Sequence, residues 1–529
     1  MVGVVADLAA GLGASEAGLR LILGQLAGAP LMVVYRSAVA HREATAQHLF
    51  LFLTGALAGH WVIGPDVAHS FYAVFATYLI LLCAGGTLTS VILSFVFNFG
   101  YLLVGYVYTE TEGYDICWTM PHCVLCLKLI GVTFDCYDGD RARRLGEGVL
   151  SKDQRQTFLL EQPTVLEMLS HSFFIGGYFV GPQISLRKYR EFVAPTYSSS
   201  LPASPNAYGL KRLGLALCYM VVQVVGSMYL PSDWPASQAF AELSLPTRLL
   251  LLPLWVKVIL SKYIFAWLCA ETVCVLSGLS FVEQRADGSV DWRGCANIKV
   301  HRLETATSFA QVIESFNVNT NHWVAVYVFK RLKFLGNKMV SQAVTLLFLA
   351  VWHGFHFGYY LTFLNEFMTV LVEREFLGVW AKAPAVATWR RHPAFARVTS
   401  ALGWAWVWLT LPHCFIPFSL LMWSASLEGY KNTWFLMYLV YAFWWVGGKG
   451  LLKKALGGRV KEKVDVPVED EKEKEVEVKE KAVETEEAKE NYEKKEVESN
   501  ESISAGDVQT VENLSLVEEV VKREEDSGN

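Results

Sequence analysis

Long apolar segments alternate with short polar loops along most of the chain. A helix needs about 20 largely apolar residues to cross a bilayer. Such segments run approximately over 18–36, 47–64, 68–108, 118–134, 164–183, 212–232, 247–282, 339–372, 399–425 and 433–452. Two of them, 68–108 and 247–282, are long enough for two helices each. The pattern predicts an all-α, polytopic membrane bundle of about eleven spans.

Glycine and proline interrupt several of these segments, as in the stretch 179–183, which reads Phe-Val-Gly-Pro-Gln. Broken backbone at membrane depth is tolerated where it lines a cavity enclosed by protein, because lipid offers no hydrogen-bond partner. We therefore expect helices that enclose a catalytic chamber rather than a set of independent lipid-facing rods.

Composition supports a membrane protein and separates a tail from the rest of the chain. Of the 529 residues, 53% are hydrophobic and only 18% are charged, which is too little charge for a soluble surface of this size. Residues 459–529 hold 24 acidic and 12 basic residues, which leaves 27 acidic and 34 basic residues for 1–458. The sequence predicts a membrane domain over 1–452 and a charged, largely disordered tail over 453–529.

Basic residues in short loops predict the orientation in the membrane. The cluster Lys330-Arg331-Leu332-Lys333 precedes one apolar segment, and Lys449, Lys453 and Lys454 follow the last one. Lysine and arginine accumulate on the cytoplasmic side of membrane proteins. Both clusters, and with them the C-terminal tail, are predicted to be cytosolic.

Candidate chemistry lies within an uncharged run from Met339 to Asn365, which holds Trp352-His353-Gly354 near its middle. An ionisable side chain inside the hydrocarbon region is costly and indicates a functional site by default. The alternative is a core histidine that is hydrogen-bonded between helices. The position within an uncharged span favours a function for His353.

A second polar cluster covers 316–321, Phe-Asn-Val-Asn-Thr-Asn, and its first asparagine, Asn317, lies 36 positions before His353. Asn317, Asn319 and Asn321 are all candidates for a carboxamide that assists the histidine. The alternative is an asparagine-rich loop or a helix cap.

Transfer of an acyl group from a thioester to a hydroxyl has three requirements. A base takes the hydroxyl proton, a donor stabilises the tetrahedral oxyanion, and water is excluded from the thioester. Imidazole, carboxamide and an apolar chamber suit these three tasks. No serine or cysteine nucleophile stands beside His353, so direct attack is favoured over an acyl-enzyme. The Cys123-x-x-Cys126 spacing is only half of a zinc site, so we expect no metal.

The chain resembles the membrane-bound O-acyltransferase (MBOAT) superfamily, and more narrowly its lysophosphatidylcholine acyltransferase (lysophospholipid acyltransferase 5) branch. The resemblance rests on 315–323, 329–338 and Trp352-His353-Gly354, and extends to 13–20, 118–124, 180–183, 262–281 and 295–299. It implies an endoplasmic-reticulum enzyme of phospholipid remodelling. Such an enzyme moves a preferably polyunsaturated fatty acyl chain from acyl-CoA to the free sn-2 hydroxyl of lysophosphatidylcholine and related lysophospholipids.

The resemblance also assigns roles to residues. It implies His353 and Asn317 as the catalytic pair. Further candidates for substrate binding are Trp352, His356, Asn321, Lys330, Arg331, Lys333, Trp118, His122 and Gln183. For the basic cluster, phosphate binding competes with an ordinary role as a positive flank of a span.

The expected partners are acyl-CoA as co-substrate, with no bound cofactor, together with lysophospholipid and membrane lipids. Nucleic acid is not expected, and a second copy of the chain is a candidate partner. Phe357 occupies a position where relatives usually carry a smaller residue, which leaves the acyl-chain preference open.

Two other functions remain open from the sequence. One is an acyltransferase of the same superfamily that acts on a sterol, a diacylglycerol or a protein. The other is a lipid transporter or scramblase, in which His353 would lie on a proton or substrate pathway. No inverted hydropathy repeat is visible along the chain, which disfavours the transporter.

Overall fold

Helices make up nearly all of the regular structure in the computed structural model, which describes residues 2–11, 15–111, 116–383, 386, 389, 392 and 394–456. Within these residues the only strands are β1 (Glu283–Gln284) and β2 (Val290–Asp291), which pair antiparallel. The prediction of an all-α polytopic fold is confirmed.

The N-terminal half contains long helices joined by short ones. Its helices are α1 (Val2–Gly11), α2 (Glu16–Val34), α3 (Ala44–Ile63), α4 (Ala68–Ala84), α5 (Leu88–Thr109), α6 (Thr119–Leu145), α7 (Lys152–Thr157), α8 (Val165–Phe173), α9 (Ile175–Tyr178), α10 (Leu186–Phe192), α11 (Tyr197–Ser200), α12 (Asn206–Tyr229), α13 (Gln238–Ala241) and α14 (Leu245–Ser277).

The C-terminal half carries the predicted catalytic residues. Its helices are α15 (Val300–Glu304), α16 (Phe309–Ile313), α17 (Val318–Val324), α18 (Lys338–His353), α19 (Phe357–Lys382), α20 (Phe395–Leu420), α21 (Trp423–Asn432), α22 (Leu436–Phe443) and α23 (Lys449–Ala455). Short π-helical and 3-10 turns connect or extend these helices, including Ala325–Phe329 and Lys330–Leu335 between α17 and α18.

Burial separates central helices from lipid-facing ones. In α6, 83% of the most apolar 18-residue window is buried inside the protein, whereas in the segment that contains α12 only 6% is buried. The outer faces of α4, α5 and α12 carry exposed aliphatic and aromatic side chains. Such a large apolar exterior is compatible with lipid rather than water. The protein is therefore a multi-pass membrane protein with α6 at its centre.

The number of spans differs from the predicted eleven. In the described residues, seven helical segments are long and apolar enough to cross a membrane, or eight if the bent pair of α21 with α22–α23 is one span. One reason is that α3 and α4 form a single 41-residue candidate, interrupted only by the 3-10 turn Gly64–Val67.

Two predicted segments were assigned wrongly. The segment 164–183 is not a span, because its backbone breaks between α8 and α9 and again before Gly181-Pro182, and its apolar residues are buried in the protein core. The segment 247–282 forms the single helix α14 rather than two helices, and it ends at Gly278. Apolarity alone does not distinguish burial in protein from burial in lipid.

The prediction of a disordered tail over 453–529 falls almost entirely outside the described residues. The membrane domain is described up to Leu456, one residue beyond α23.

Candidate active site

His353 is the last residue of α18, and local signals fix both ends of this helix. At the start, Asn337 Oδ1 accepts the backbone N–H groups of Met339 at 2.9 Å and Val340 at 3.2 Å. At the end, Gly354 has a φ of 127°, a conformation that favours glycine. The apolar run is therefore broken directly after the imidazole, which lies at a helix end inside the bundle.

Aromatic rings from two other helices surround the imidazole of His353. The ring centroids of Tyr359 and Phe363 of α19 lie 5.4 and 5.5 Å away, and that of Phe418 of α20 lies 5.5 Å away. The side chain is half-buried. Within the part of the chain that the structure describes, neither ring nitrogen has a hydrogen-bond partner. An imidazole with open nitrogens can take a proton from a bound substrate.

Gly358 lets α19 and α20 approach closely beside this histidine. Its N–H donates to the carbonyl of Leu421 at 2.7 Å. A Cβ at Gly358 would lie only 2.0 Å from the carbonyl oxygen of Pro417. The absence of a side chain at this point is what brings Phe418 against His353.

Asn317 begins α17 in a left-handed backbone conformation, with φ 50° and ψ 46°. Asparagine tolerates this region better than most residues. Its Oδ1 accepts a hydrogen bond from Asn297 Nδ2 at 3.1 Å. Its own NH2 group has no acceptor among the described residues. The carbonyl oxygen of Asn317 is therefore held by the protein, while its two N–H donors remain open.

The other two asparagines of the cluster have their amide donors occupied by the backbone. Asn321 Nδ2 donates to the carbonyls of Ile313 and Phe316, both at 2.9 Å. Asn319 Nδ2 donates to the carbonyl of Ala296 at 3.0 Å. These contacts stabilise the loop, so Asn321 has a structural role here. Of the three candidates, only Asn317 presents free donors.

A continuous path of aromatic rings joins the two predicted catalytic residues. Phe418, which contacts His353, lies 5.5 Å from Phe415, and Phe415 lies 6.0 Å from Phe316, next to Asn317. Phe316 in turn packs on Trp267 of α14 at 4.8 Å. The chain of rings therefore runs from His353 to Phe316, the residue directly before Asn317.

Glu373 of α19 fixes the helix that precedes Asn317. Its carboxylate accepts the backbone N–H groups of Phe309 at 2.7 Å and Ala310 at 3.2 Å, together with the indole N–H of Trp406 at 2.9 Å. Phe309 and Ala310 begin α16, so a negative charge caps the start of this helix. The position of the asparagine loop is thereby coupled to α19, which also carries the rings around His353.

Trp352 and His356, predicted to bind substrate, make contacts within the protein. Trp352 is buried, and its indole N–H donates to the carbonyl of Cys123 on α6 at 3.0 Å. His356 Nδ1 lies 3.4 Å from Glu110 Oε1. These contacts tie the region around His353 to α5 and α6.

The predicted residues of α6 lie in a separate aromatic cluster. Trp118 stacks on His69 with 3.9 Å between the ring centroids, and His69 Nδ1 lies 2.7 Å from the hydroxyl of Tyr101. His122 is fully buried, and both of its ring nitrogens lack a partner in the described residues. No contact of Trp118 or His122 with His353 is observed.

A polar cleft with a volume of about 80 Å³ opens near the asparagine loop. Gln183 lines it and donates to the carbonyl of Val124 at 3.0 Å. The other polar or aromatic residues that line the cleft are Lys128, Asp135, Asp153, Thr157, Ser185, Asn319, His322, Trp323 and Tyr327. Because Asn319 and Asn317 share the partner Asn297, the cleft adjoins the loop that holds Asn317.

Two of the three predicted basic residues form ion pairs close to this cleft. Lys330 pairs with Asp153, and Arg331 makes two hydrogen bonds to Asp138 of α6. Lys333 is exposed. These ion pairs give Lys330 and Arg331 a structural role. Lys333 is the residue of the cluster whose charge is exposed and forms no ion pair with the described residues.

Sequence reasoning missed some residues that shape the site. Asn297 lies in the stretch 295–299 that carries part of the resemblance, but its position alone did not indicate that it orients Asn317 and Asn319. Phe418 and Glu373 gave no signal in the sequence, since their roles depend on helices that meet only in the fold.

Comparisons with known proteins show the family to which the chain belongs. A sequence model of MBOAT, the membrane-bound O-acyltransferase family, matches residues 101–416. The chain is 39% identical to lysophospholipid acyltransferase 5 of Rattus norvegicus over 436 residues, covering 82% of this chain and 89% of that protein. It is 38% identical to the Homo sapiens protein of the same name over 440 residues, with the same coverage. It is 41% identical to the one of Drosophila melanogaster over 382 residues, or 72% and 76% of the two chains.

The family match contains both His353 and Asn317, and the relatives cover most of the membrane domain. The chain therefore belongs to the membrane-bound O-acyltransferase family.

Proposed function

We propose that the protein transfers a fatty acyl group from acyl-CoA to the free sn-2 hydroxyl of lysophosphatidylcholine and related lysophospholipids. The names of the relatives support lysophospholipids as the acceptor class. The observation that supports the chemistry is an imidazole with open nitrogens, linked by a chain of aromatic rings to Phe316, whose neighbour Asn317 keeps its N–H donors open.

The proposed reaction is a direct displacement. His353 takes the proton of the acceptor hydroxyl as its oxygen attacks the thioester carbonyl. The Asn317 NH2 group donates to the oxyanion of the tetrahedral intermediate. The carbon–sulfur bond then breaks, and the imidazolium returns the proton to the leaving thiolate of coenzyme A. No serine or cysteine neighbours His353 along the chain, which favours direct attack over an acyl-enzyme.

The polar cleft is the proposed entrance for part of the coenzyme A moiety. It carries Lys128, Gln183 and Asn319, and its wall includes Asp153, the partner of Lys330. The cluster around Lys330 is cytosolic by the positive-inside rule, so the donor would enter from the cytosol. The apolar acyl chain would lie along the chain of aromatic rings.

The proposal also includes residence in the endoplasmic reticulum membrane, with the C-terminal tail in the cytosol. Lys449, Lys453 and Lys454 in α23 follow the last apolar segment and support this orientation.

The test is a transfer assay with purified protein in lipid nanodiscs, with release of free coenzyme A and the acylated product measured by mass spectrometry. We expect His353→Ala to lower turnover by about 100-fold or more, the usual contribution of a general base. His301→Ala is the matched control, because His301 is an exposed histidine of α15, and this variant keeps wild-type turnover.

Each outcome of this assay separates the proposed function from its alternatives. Retained turnover in His353→Ala at normal thermal stability would refute the assigned base. Wild-type protein that prefers a sterol, a diacylglycerol or a peptide over every lysophospholipid would refute the acceptor class.

A further inference from the structure

Glu366 is the charged residue that ends the uncharged run from Met339 to Asn365. It lies on α19, is half-buried, and has no hydrogen-bond or ion-pair partner within the residues that the structure describes. The other two glutamates of α19 are both satisfied. Glu373 caps α16, and Glu375 accepts the indole N–H of Trp444 at 2.9 Å and pairs with Lys449 at 3.2 Å. Glu366 is therefore the glutamate of α19 whose carboxyl group stabilises no other part of the fold by a hydrogen bond or an ion pair.

The helical register places Glu366 on the face of α19 that contacts His353. Residues spaced by three or four positions share one face of a helix, and Tyr359, Phe363 and Glu366 have this spacing. Tyr359 and Phe363 both contact the ring of His353. Glu366 therefore lies on the face of α19 that borders the imidazole, about 4.5 Å beyond Phe363 along the helix axis.

Contacts between α19 and α20 place Glu366 at the level of α20 between Cys414 and Phe418. Tyr359 packs against Phe418 at 5.3 Å, and the Thr369 hydroxyl lies 3.6 Å from Cys414 Sγ, one helical turn before Phe418. Glu366 falls between these two levels. Phe415, which follows Cys414, contacts Phe316 beside Asn317.

We propose that Glu366 binds the cationic ammonium group in the head of the acceptor lipid, and so determines which lysophospholipids are accepted. This inference rests on the proposed function. An isolated carboxylate in apolar surroundings is costly and becomes favourable when a cation joins it. The neighbouring aromatic rings add to this preference, because their faces attract quaternary and primary ammonium groups.

The direction and distance fit an acceptor whose hydroxyl is held at His353. Its head group then extends along α19, over roughly one to two helical turns, toward Glu366. Choline and ethanolamine heads both carry an ammonium group at their end, whereas a glycerol head does not. The site therefore predicts selection by charge rather than by the size of the head group.

The principal test is Glu366→Gln, which keeps the shape of the side chain and removes its charge. We expect the KM for lysophosphatidylcholine and lysophosphatidylethanolamine to rise by about 10- to 100-fold, the effect expected for losing a close pair of opposite charges. The kcat at saturating acceptor and the KM for acyl-CoA stay unchanged. Activity toward lysophosphatidylglycerol of the same chain length does not fall. An equal loss on all acceptors, or a fall in kcat with unchanged acceptor KM, would overturn the inference.

Two further variants separate charge recognition from structure. Glu366→Asp keeps the carboxylate and should retain the preference for ammonium head groups, so an Asp variant that behaves like the Gln variant would count against the inference. Glu373→Gln is the matched control on the same helix. Because Glu373 fixes α16, this variant should lower turnover by the same factor for every acceptor.

A measurement on the wild-type protein does not depend on how the variants fold. Ether lipids that lack the sn-2 hydroxyl serve as inhibitors, and the phosphocholine form should inhibit more strongly than the phosphoglycerol form of equal chain length. Equal inhibition refutes the role of Glu366. Wild-type protein that acylates no lysophospholipid refutes the proposed function instead, so the two failures are distinguishable.

Discussion

At the residue scale, the asparagine cluster shows how neighbouring identical side chains take different roles. Asn317 keeps its NH2 group open, whereas Asn321 donates to two backbone carbonyls. The sequence identified the cluster but did not distinguish its members by pattern alone, because the distinction depends on where α16 and residues 295–299 lie in space.

The first prediction concerns the side chain of Asn317. Asn317→Gly removes the carboxamide without strain, since glycine readily adopts the left-handed backbone found here. If Asn317 supplies an oxyanion donor, kcat should fall by about 100- to 1,000-fold. Loss of the acceptor for Asn297 Nδ2 should also lower the stability by about 1 kcal/mol, and unchanged kcat in a folded variant would refute the role.

The contrasting prediction concerns Asn321. Asn321→Ala leaves the carbonyls of Ile313 and Phe316 without their donor. The expected cost is about 1–3 kcal/mol of stability, measured as a lower midpoint of thermal unfolding in detergent. A variant that loses kcat at unchanged stability would instead place Asn321 in the chemistry.

At the element scale, the site depends on the close approach of α19 and α20. Gly358→Ala would set a Cβ 2.0 Å from the backbone oxygen of Pro417. The helices must separate, so we expect a loss of about 1–3 kcal/mol of stability and lower turnover, because Phe418 moves away from His353. Gly378→Ala is the control on the same helix, where no atom lies within 4 Å of the added Cβ. Equal effects of both substitutions would show that this crossing does not position the site.

The β1–β2 hairpin offers a prediction about pH. Hydrogen bonds from Arg293, together with the charge of Arg285, lower the pKa of Asp291 to about 2. The folded pKa lies below the ordinary value of about 3.9. The stabilisation is therefore fully present above about pH 4 and is lost as the pH falls through 2. Pepsin should cleave the hairpin of the wild-type protein faster as the pH falls over this range. In the Asp291→Asn variant, the rate of cleavage should depend much less on pH.

At the scale of the whole molecule, the C-terminal helices complete the bundle. Glu375 of α19 is held by Trp444 and by Lys449 of α23. A chain that ends at Arg459 keeps both partners and should retain acyl transfer within about two-fold of the full chain. A chain that ends at Phe443 leaves Glu375 without partners and should lose stable insertion. Equal insertion and equal turnover of the two truncated chains would contradict the prediction that Trp444 and Lys449 are needed.

The count of spans is also decided at this scale. Segment 164–183 is predicted as a membrane helix from its apolar residues, yet it contains the short helices α8 and α9 within the protein core. Segments 68–108 and 339–372 each divide into two helices, at 85–87 and at Gly354. Hydropathy detects burial, but the surroundings of the buried segment are set by the packing of the other helices.

The sequence by itself determined the class of the protein and predicted the residues of its chemistry. The apolar segments specify a helical membrane fold, because the bilayer leaves few alternatives. An ionisable residue in an uncharged run indicates His353, since its burial has a cost that function must offset. Only the tertiary structure decided which asparagine has free donors, which rings enclose the imidazole, and which glutamate of α19 remains unpaired. These properties depend on contacts between residues far apart in the chain, and such contacts cannot be predicted from a local sequence pattern.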